Sequence, residues 1–172
     1  MNLELREAGS RFASCQWSAV GCRIARTLMN DSLANALTHL PHGAEFRFLD
    51  RLIALDPGQS GAGEYLLRGD EHFLRGHFPG HPLMPGVLLV EAAAQLAGTV
   101  AQSDPHIPPL KNLKLTAIRG AKILGAALPG ETIQLEAKIV ARMGNFVQAQ
   151  ATARVNNRVI LQTEVVLSGE PE

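Results

Sequence analysis

From Val87 to Gln102 the chain reads VLLVEAAAQLAGTVAQ, a stretch without turn signals built largely of Leu and Ala, residues that favour a helix. Pro85 stands near its first turn, where a missing amide hydrogen is harmless. Within the run the polar side chains Glu91, Gln95 and Thr99 recur at every fourth residue, which puts them on one face. The helix therefore has a narrow polar seam and is apolar elsewhere. It must be covered on nearly every side, which demands a strongly curled sheet or a second subunit. We expect both.

Material for such a sheet lies on either side. The last third alternates with period two: Ile133, Leu135, Ala137 and Ile139, then Val147, Ala149, Ala151, Ala153 and Val155, then Val159, Leu161, Thr163, Val165 and Leu167. These read as half-buried strands. MGN at 143–145 and NN at 156–157 supply residues that tolerate positive φ, so the strands are expected to form an antiparallel meander, with LPGE at 128–131 as the turn before it. Upstream, EFRFLDRLIAL and GEYLLRG read as two more strands joined by the turn-forming DPGQSGAG. The fold class is α+β, one helix lying across one long sheet.

Residues 1–36 show no clean apolar period, so an amino-terminal extension, disordered or loosely docked, is expected before a domain at 37–172. NDSLANALTHLPH follows Met29 with Asp31 or Ser32 as a helix cap, which makes Met29 an alternative start. Sixteen basic residues balance sixteen acidic ones, against a nucleic-acid binder or a polybasic membrane anchor. The longest apolar run, broken by Glu91 and Gln95, is too short to span a bilayer. Cys15 and Cys22 have neither metal-ligand nor disulfide spacing, and a reducing cytoplasm fits them.

Chemistry concentrates in GHFPGHPLMPGVLLVEAAAQLAG, residues 76–98. A carboxylate buried among apolar groups either finds a partner or takes up a proton, and burial raises a carboxyl pKa from about 4.3 toward the range of a general acid. Pairing with an Arg or Lys to fix the helix is the structural alternative for Glu91. The loop before it supplies His77, an imidazole able to exchange a proton near neutral pH, in a segment stiffened by Pro79, Pro82 and Pro85. Pro79, between His77 and His81, prevents one helix from presenting His72, His77 and His81 together to a metal, and no cysteine joins them; no metal and no cofactor is expected. His39, His42 and His106 lie beside prolines in loops, where solvated or structural roles are expected.

With these residues in place the sequence resembles the 3-hydroxyacyl-acyl-carrier-protein dehydratases of type II fatty-acid synthesis, the FabZ type. LPHGAEFRFLDRL at 40–52 is similar to that family's opening motif, and LTAIRGAKILGAALPGE at 115–131 is a weaker match to its post-helix strand. The resemblance covers about residues 37–168. It implies a hot-dog fold, a long antiparallel sheet wrapped round a central helix, paired into dimers and often three dimers to a hexamer. It implies that His77 and Glu91 are catalytic and meet across the dimer interface, His77 as base and Glu91 as acid. It also implies an oxyanion and substrate site made by Gly86 and Val87 with Gln95, Phe78 and Pro85, and an acyl carrier protein as partner.

The related isomerising FabA-type enzymes typically have Asp in place of Glu91 and Cys in place of Val87, so dehydration without isomerisation is expected. An aromatic gate common in the family is replaced here by KNLKL, and its basic-proline step by LGAA at 124–127. Lys111, Lys114, Lys122, Arg119 and Arg142 are candidates to meet an acidic carrier protein, or equally a solvated strand face. The alternatives are a hot-dog acyl thioesterase, a dehydratase of a specialised polyene or polyketide pathway, and a non-catalytic acyl-binding subunit.

Overall fold

The computed structural model describes residues 33–38 and 40–171. Most of the expected extension, with Met29 and its proposed caps, lies outside the described residues. Its carboxyl end does not: residues 33–37 are helical, and Ala36 is buried in the core with Leu40.

Six strands follow, β1 (Arg51–Asp56), β2 (Ser60–Leu66), β3 (Lys111–Ile123), β4 (Thr132–Met143), β5 (Phe146–Val155) and β6 (Arg158–Glu170), with helix α1 (Gly86–Gln102) between β2 and β3. They form one sheet in the order β1-β2-β4-β5-β6-β3, antiparallel at every pairing. The sheet curls round α1, which touches β2, β3, β4, β5 and β6. This is the expected α+β hot-dog fold, and α1 begins one residue before the run read from sequence. Leu89, Leu96 and Val100 on α1 are fully buried against Leu135, Val147, Leu161 and Val165 of the sheet. Each such side chain contributes roughly 1.5–3 kcal/mol of burial.

The meander closes as its turn residues require. Asn156 and Asn157 have φ of 49° and 64°, the paired left-handed backbone of a tight hairpin whose twist matches the strands. Inward positions follow the expected alternation except at the start of β6. There the register shifts next to Arg154, so Ile160 is buried and Val159 is left half-buried. One extra residue in a strand inverts the phase on one side of it.

Two expectations fail upstream of α1. The first half of the expected strand at 45–55 is not strand, because residues 44–46 make a 3-10 turn and β1 takes up only its second half, from Arg51. The glycines of DPGQSGAG are not all turn residues, because β2 begins at Ser60 and pairs Gly61, Ala62 and Gly63 with Ala137, Glu136 and Leu135. The structure gives the reason: a Cβ on Gly61 would lie 2.7 Å from the Val100 side chain, and one on Gly63 2.4 Å from Leu49. Glycine lets the helix and the 47–49 segment press onto the strand face.

The sheet ends in two edges, β1 and β3. Strand β3 is exposed along nearly its whole length, Ile118 and Ile123 included, and it pairs only with β6.

Candidate active site

The loop that carries His77 is built by backbone bonds rather than by a regular element. The amide of Phe78 donates to the His81 carbonyl and the amide of His81 to the Phe78 carbonyl, a closed turn in which Gly80 takes φ of 80°. The Leu83 amide donates to the His77 carbonyl at 3.1 Å, and the His77 Nδ1 lies 3.2 Å from the Leu83 carbonyl. A carbonyl only accepts, so Nδ1 carries the hydrogen of the neutral ring and Nε2 keeps its lone pair. Phe78 is more than half exposed and stacks on this ring, centroids 4.2 Å apart.

Upstream, Glu71 fixes the start of the same loop. Its carboxylate accepts from the amides of Arg68 and Gly69, both at 2.7 Å, and from the Tyr65 hydroxyl at 3.0 Å. Burial alone would raise this carboxyl, but backbone donors at Arg68, Glu71 and Gly69 together with the Tyr65 hydroxyl outweigh it, and its pKa lies below the usual carboxylate value. Tyr65 moves the opposite way, pushed up by burial and by the neighbouring Glu71 charge.

The loop delivers the chain to α1 with Pro85 as cap. The first helix bonds run from the Leu88 and Leu89 amides to the Pro85 carbonyl, so the Gly86 and Val87 amides have no hydrogen-bond partner among the described residues. They stand at the positive end of the helix dipole. Gly86 has a packing reason as well, since a Cβ there would sit 2.4 Å from the Ile123 side chain at the end of β3.

Further along α1 each residue of the polar seam has a partner. Thr99 bonds back to the Gln95 carbonyl at 3.0 Å. Gln95, 2% exposed, accepts from the Phe48 amide at 2.8 Å and donates to the Phe46 carbonyl at 2.9 Å and to Glu91 Oε1 at 3.0 Å. The same Oε1 lies 3.3 Å from His42 Nε2. Glu91 thus has partners, neither of them the Arg or Lys considered from sequence.

Glu91 and Gln95 line a cavity of about 160 Å³ whose other walls include His42, Leu40, Gly98, Leu113, Leu115 and Leu167. Among these described residues Glu91 carries the sole carboxylate. Gln102 and Leu110 also line the cavity, the Gln102 amide donating to the Leu110 carbonyl at 2.7 Å and accepting from the Leu110 amide at 2.9 Å. His77 does not line this cavity. One chain therefore joins Glu91 with Gln95 at the cavity, and His77 with Phe78 outside it, while Pro85, Gly86 and Val87 form the start of α1.

Two of the basic residues named from sequence serve the fold. Arg142 donates to the Ala101 and Pro108 carbonyls at 2.9 and 3.2 Å, capping the carboxyl end of α1, where a positive charge is favourable. Arg119 pairs with Glu164 at 3.3 Å, and Lys111, Lys114 and Lys122 stay exposed on β3. His42, grouped from sequence with the loop histidines, does lie in a loop, and from there it faces Glu91.

A family model described as a FabA-like domain matches residues 40–164. The chain is 33% identical over 137 residues to the 3-hydroxyacyl-acyl-carrier-protein dehydratase FabZ of Chloroflexus aggregans, a match covering 80% of this chain and 94% of that one. It is 34% identical over 133 residues to the FabZ of Myxococcus xanthus, covering 77% and 87%. Among solved structures it is similar to the dehydratase heterocomplex ApeI:P from Xenorhabdus doucetiae, with a TM-score of 0.67 at 14% identity over 80% of this chain and 91% of that one; at that identity the likeness concerns the fold.

Proposed function

Because the chain belongs to the FabA-like family and is a FabZ-type dehydratase of 3-hydroxyacyl-acyl-carrier-protein thioesters, a hydro-lyase of fatty-acid synthesis, we propose that His77 and Glu91 perform its acid–base chemistry, each site taking one residue from each of two chains. The observation that carries this reading is the place of Glu91, the sole carboxylate in the wall of a cavity of mixed polar and apolar lining that His77 of the same chain does not line.

The free Nε2 of His77 removes the proton beside the thioester carbonyl, and the electron pair moves onto the carbonyl oxygen. The Gly86 and Val87 amides, unpaired at the helix start, receive that developing negative charge. The enolate pair then returns to form the carbon–carbon double bond as the C3–oxygen bond breaks, and Glu91 protonates the departing hydroxyl to water. Return of the proton from His77 to Glu91 resets the pair. Phe78 and Pro85 line the approach beside His77.

Strand β3 supplies the second chain. It is a long, exposed edge that no described segment covers, and pairing with a second copy's β3 is isologous, each residue i meeting j while j meets i. It would also cover Ile118 and Ile123 beside the start of α1. The substrate arrives on acyl carrier protein, for which Lys111, Lys114 and Lys122 remain exposed, and the acyl chain enters the cavity behind Glu91. A cytoplasmic setting agrees with the absence, among the described residues, of any helix long and apolar enough to cross a membrane.

The test is turnover of a 3-hydroxyacyl carrier-protein thioester followed by mass spectrometry. Wild type is expected to lose one water, and His77→Ala and Glu91→Gln to fall by about a hundredfold or more with the fold retained. Release of free thiol would replace this reading with a thioesterase. Wild-type rates in either variant would remove that residue from the mechanism.

A further inference from the structure

Glu91 has two chemically different oxygens. Oε1 lies against two nitrogens, Gln95 Nε2 at 3.0 Å and His42 Nε2 at 3.3 Å, while Oε2 has no hydrogen-bond partner among the described residues. The Gln95 amide cannot be turned round: its oxygen is taken by the Phe48 amide and its nitrogen by the Phe46 carbonyl, so the nitrogen must face Glu91. Oε1 is therefore an acceptor and cannot itself carry a proton toward Gln95.

His42 reaches this oxygen from the 40–46 turn. Arg47 holds its carbonyl at 3.3 Å, and its ring lies 6.0 Å from Phe46, the first of a row of rings running through Phe48 to Tyr65 and Phe73. The other ring nitrogen, Nδ1, is buried with no hydrogen-bond partner. A ring placed for packing alone has no reason to bury one nitrogen unpaired while turning the other toward a carboxylate. Nε2 approaches the carboxylate to 3.3 Å without an aligned hydrogen bond in the free chain; a hydrogen on Nε2, with Nδ1 left as the bare lone pair, is the neutral form that would complete the contact.

We propose that His42 is a positioning residue for Glu91: with Gln95 it occupies Oε1 and so dedicates Oε2 to the proton transferred in the reaction. This rests on the dehydratase reading above. In the free chain the two groups stand 3.3 Å apart without an aligned hydrogen bond, and catalytic contacts of this kind align and tighten when substrate fills the site. A carboxyl whose proton can sit on either oxygen spends part of its time facing the wrong way; one held by two donors on Oε1 presents a single acidic position.

Two variants and one spectrum test it. His42→Phe keeps the ring stack and removes the donor, whereas His42→Gln places an amide nitrogen near the position of Nε2. The first is expected to lower kcat about tenfold with KM changed less than about twofold, the loss of one charge-assisted hydrogen bond in the transition state. The second is expected to recover most of that loss. With nitrogen-15-labelled histidine, the His42 resonances of the whole protein at a pH where the ring is neutral should report the Nε2–H tautomer, and Glu91→Gln should shift them. Wild-type kcat in His42→Phe would overturn the proposal. So would a His42→Gln as slow as His42→Phe, an Nδ1–H tautomer, or resonances indifferent to Glu91. If wild type forms no enoyl thioester at all, the dehydratase reading fails, while the tautomer and its response to Glu91→Gln still decide the contact.

Discussion

Replacing Gln95 by Leu removes the one side chain that ties α1 to the 46–48 segment through both its donor and its acceptor. The largest cost falls on Phe48, itself 1% exposed, whose amide donates to Gln95 Oε1 and would be left buried without a partner. An orphaned buried N–H costs about 1–3 kcal/mol. Phe46 is half exposed, so water can replace the bond to its carbonyl at little cost. The added apolar surface of Leu returns up to about 1 kcal/mol. The net destabilisation is about 1 kcal/mol, which for a chain of this size lowers Tm by roughly 2–4 °C. Urea unfolding should show the midpoint shifted and the slope unchanged, since the surface exposed on unfolding is the same.

Gln95→Glu separates the amide's contributions. It keeps an acceptor for the Phe48 amide but sets a second carboxylate against Glu91, at a position where the native nitrogen is 3.0 Å from Oε1. Two carboxylates so close cannot both ionise freely, so this variant should approach wild-type stability below about pH 4 and lose it as pH rises. If Gln95→Leu melts within a degree of wild type, or if Gln95→Glu shows no such dependence on pH, the account of Gln95 as the clamp between helix and segment is wrong.

Equal amounts of His77→Ala and Glu91→Gln, unfolded together and refolded as mixed dimers, should regain about a quarter of wild-type activity, because half the dimers are mixed and each holds one intact site; zero recovery would place both residues in one chain. Gly98→Val fills the cavity behind Glu91, where a Cβ would already touch Leu113 and Leu167 at 3.5 and 3.7 Å, and should raise KM for long acyl chains while sparing short ones, read from competition between chain lengths. Glu71 has a folded-state pKa below its unfolded value, so its contribution to stability is present above about pH 4.5 and is lost as pH falls through the lower folded value. Glu71→Gln should accordingly be less stable than wild type at neutral pH, with the difference shrinking in acid, as measured by urea unfolding across pH.

What could be read from the sequence, and what could not, divides along one physical line. Periodicity reports which side of an element is apolar, and it located α1 to within a residue and the inward faces of β4 and β5 without error. It does not report what lies opposite. Gly61 and Gly63 look like turn glycines in a window of a few residues, and only the approach of Val100 and Leu49 shows them as strand positions kept bare for a neighbour. Val159 failed for a related reason: a shift in register belongs to the pair of strands, and neither strand's sequence announces it.

The site divides the same way. His77 and Glu91 stand out in the sequence as candidates because each is an ionisable group set in a context that ordinary packing does not need, a rigid loop in one case and an apolar helix in the other. The partners of the polar seam do not, because Gln95 is held by the Phe46 carbonyl and the Phe48 amide, backbone atoms that every residue but proline carries alike. His42 falls between these cases. Its side chain is distinctive, but what distinguishes it from His106 is the direction its ring faces, and that is set by a turn whose closing bond runs from the Phe46 amide to the Gly43 carbonyl. No periodicity reports such a direction, and here His42 faces the Glu91 carboxylate from a loop leading into a 3-10 turn where the sequence pattern had suggested a strand.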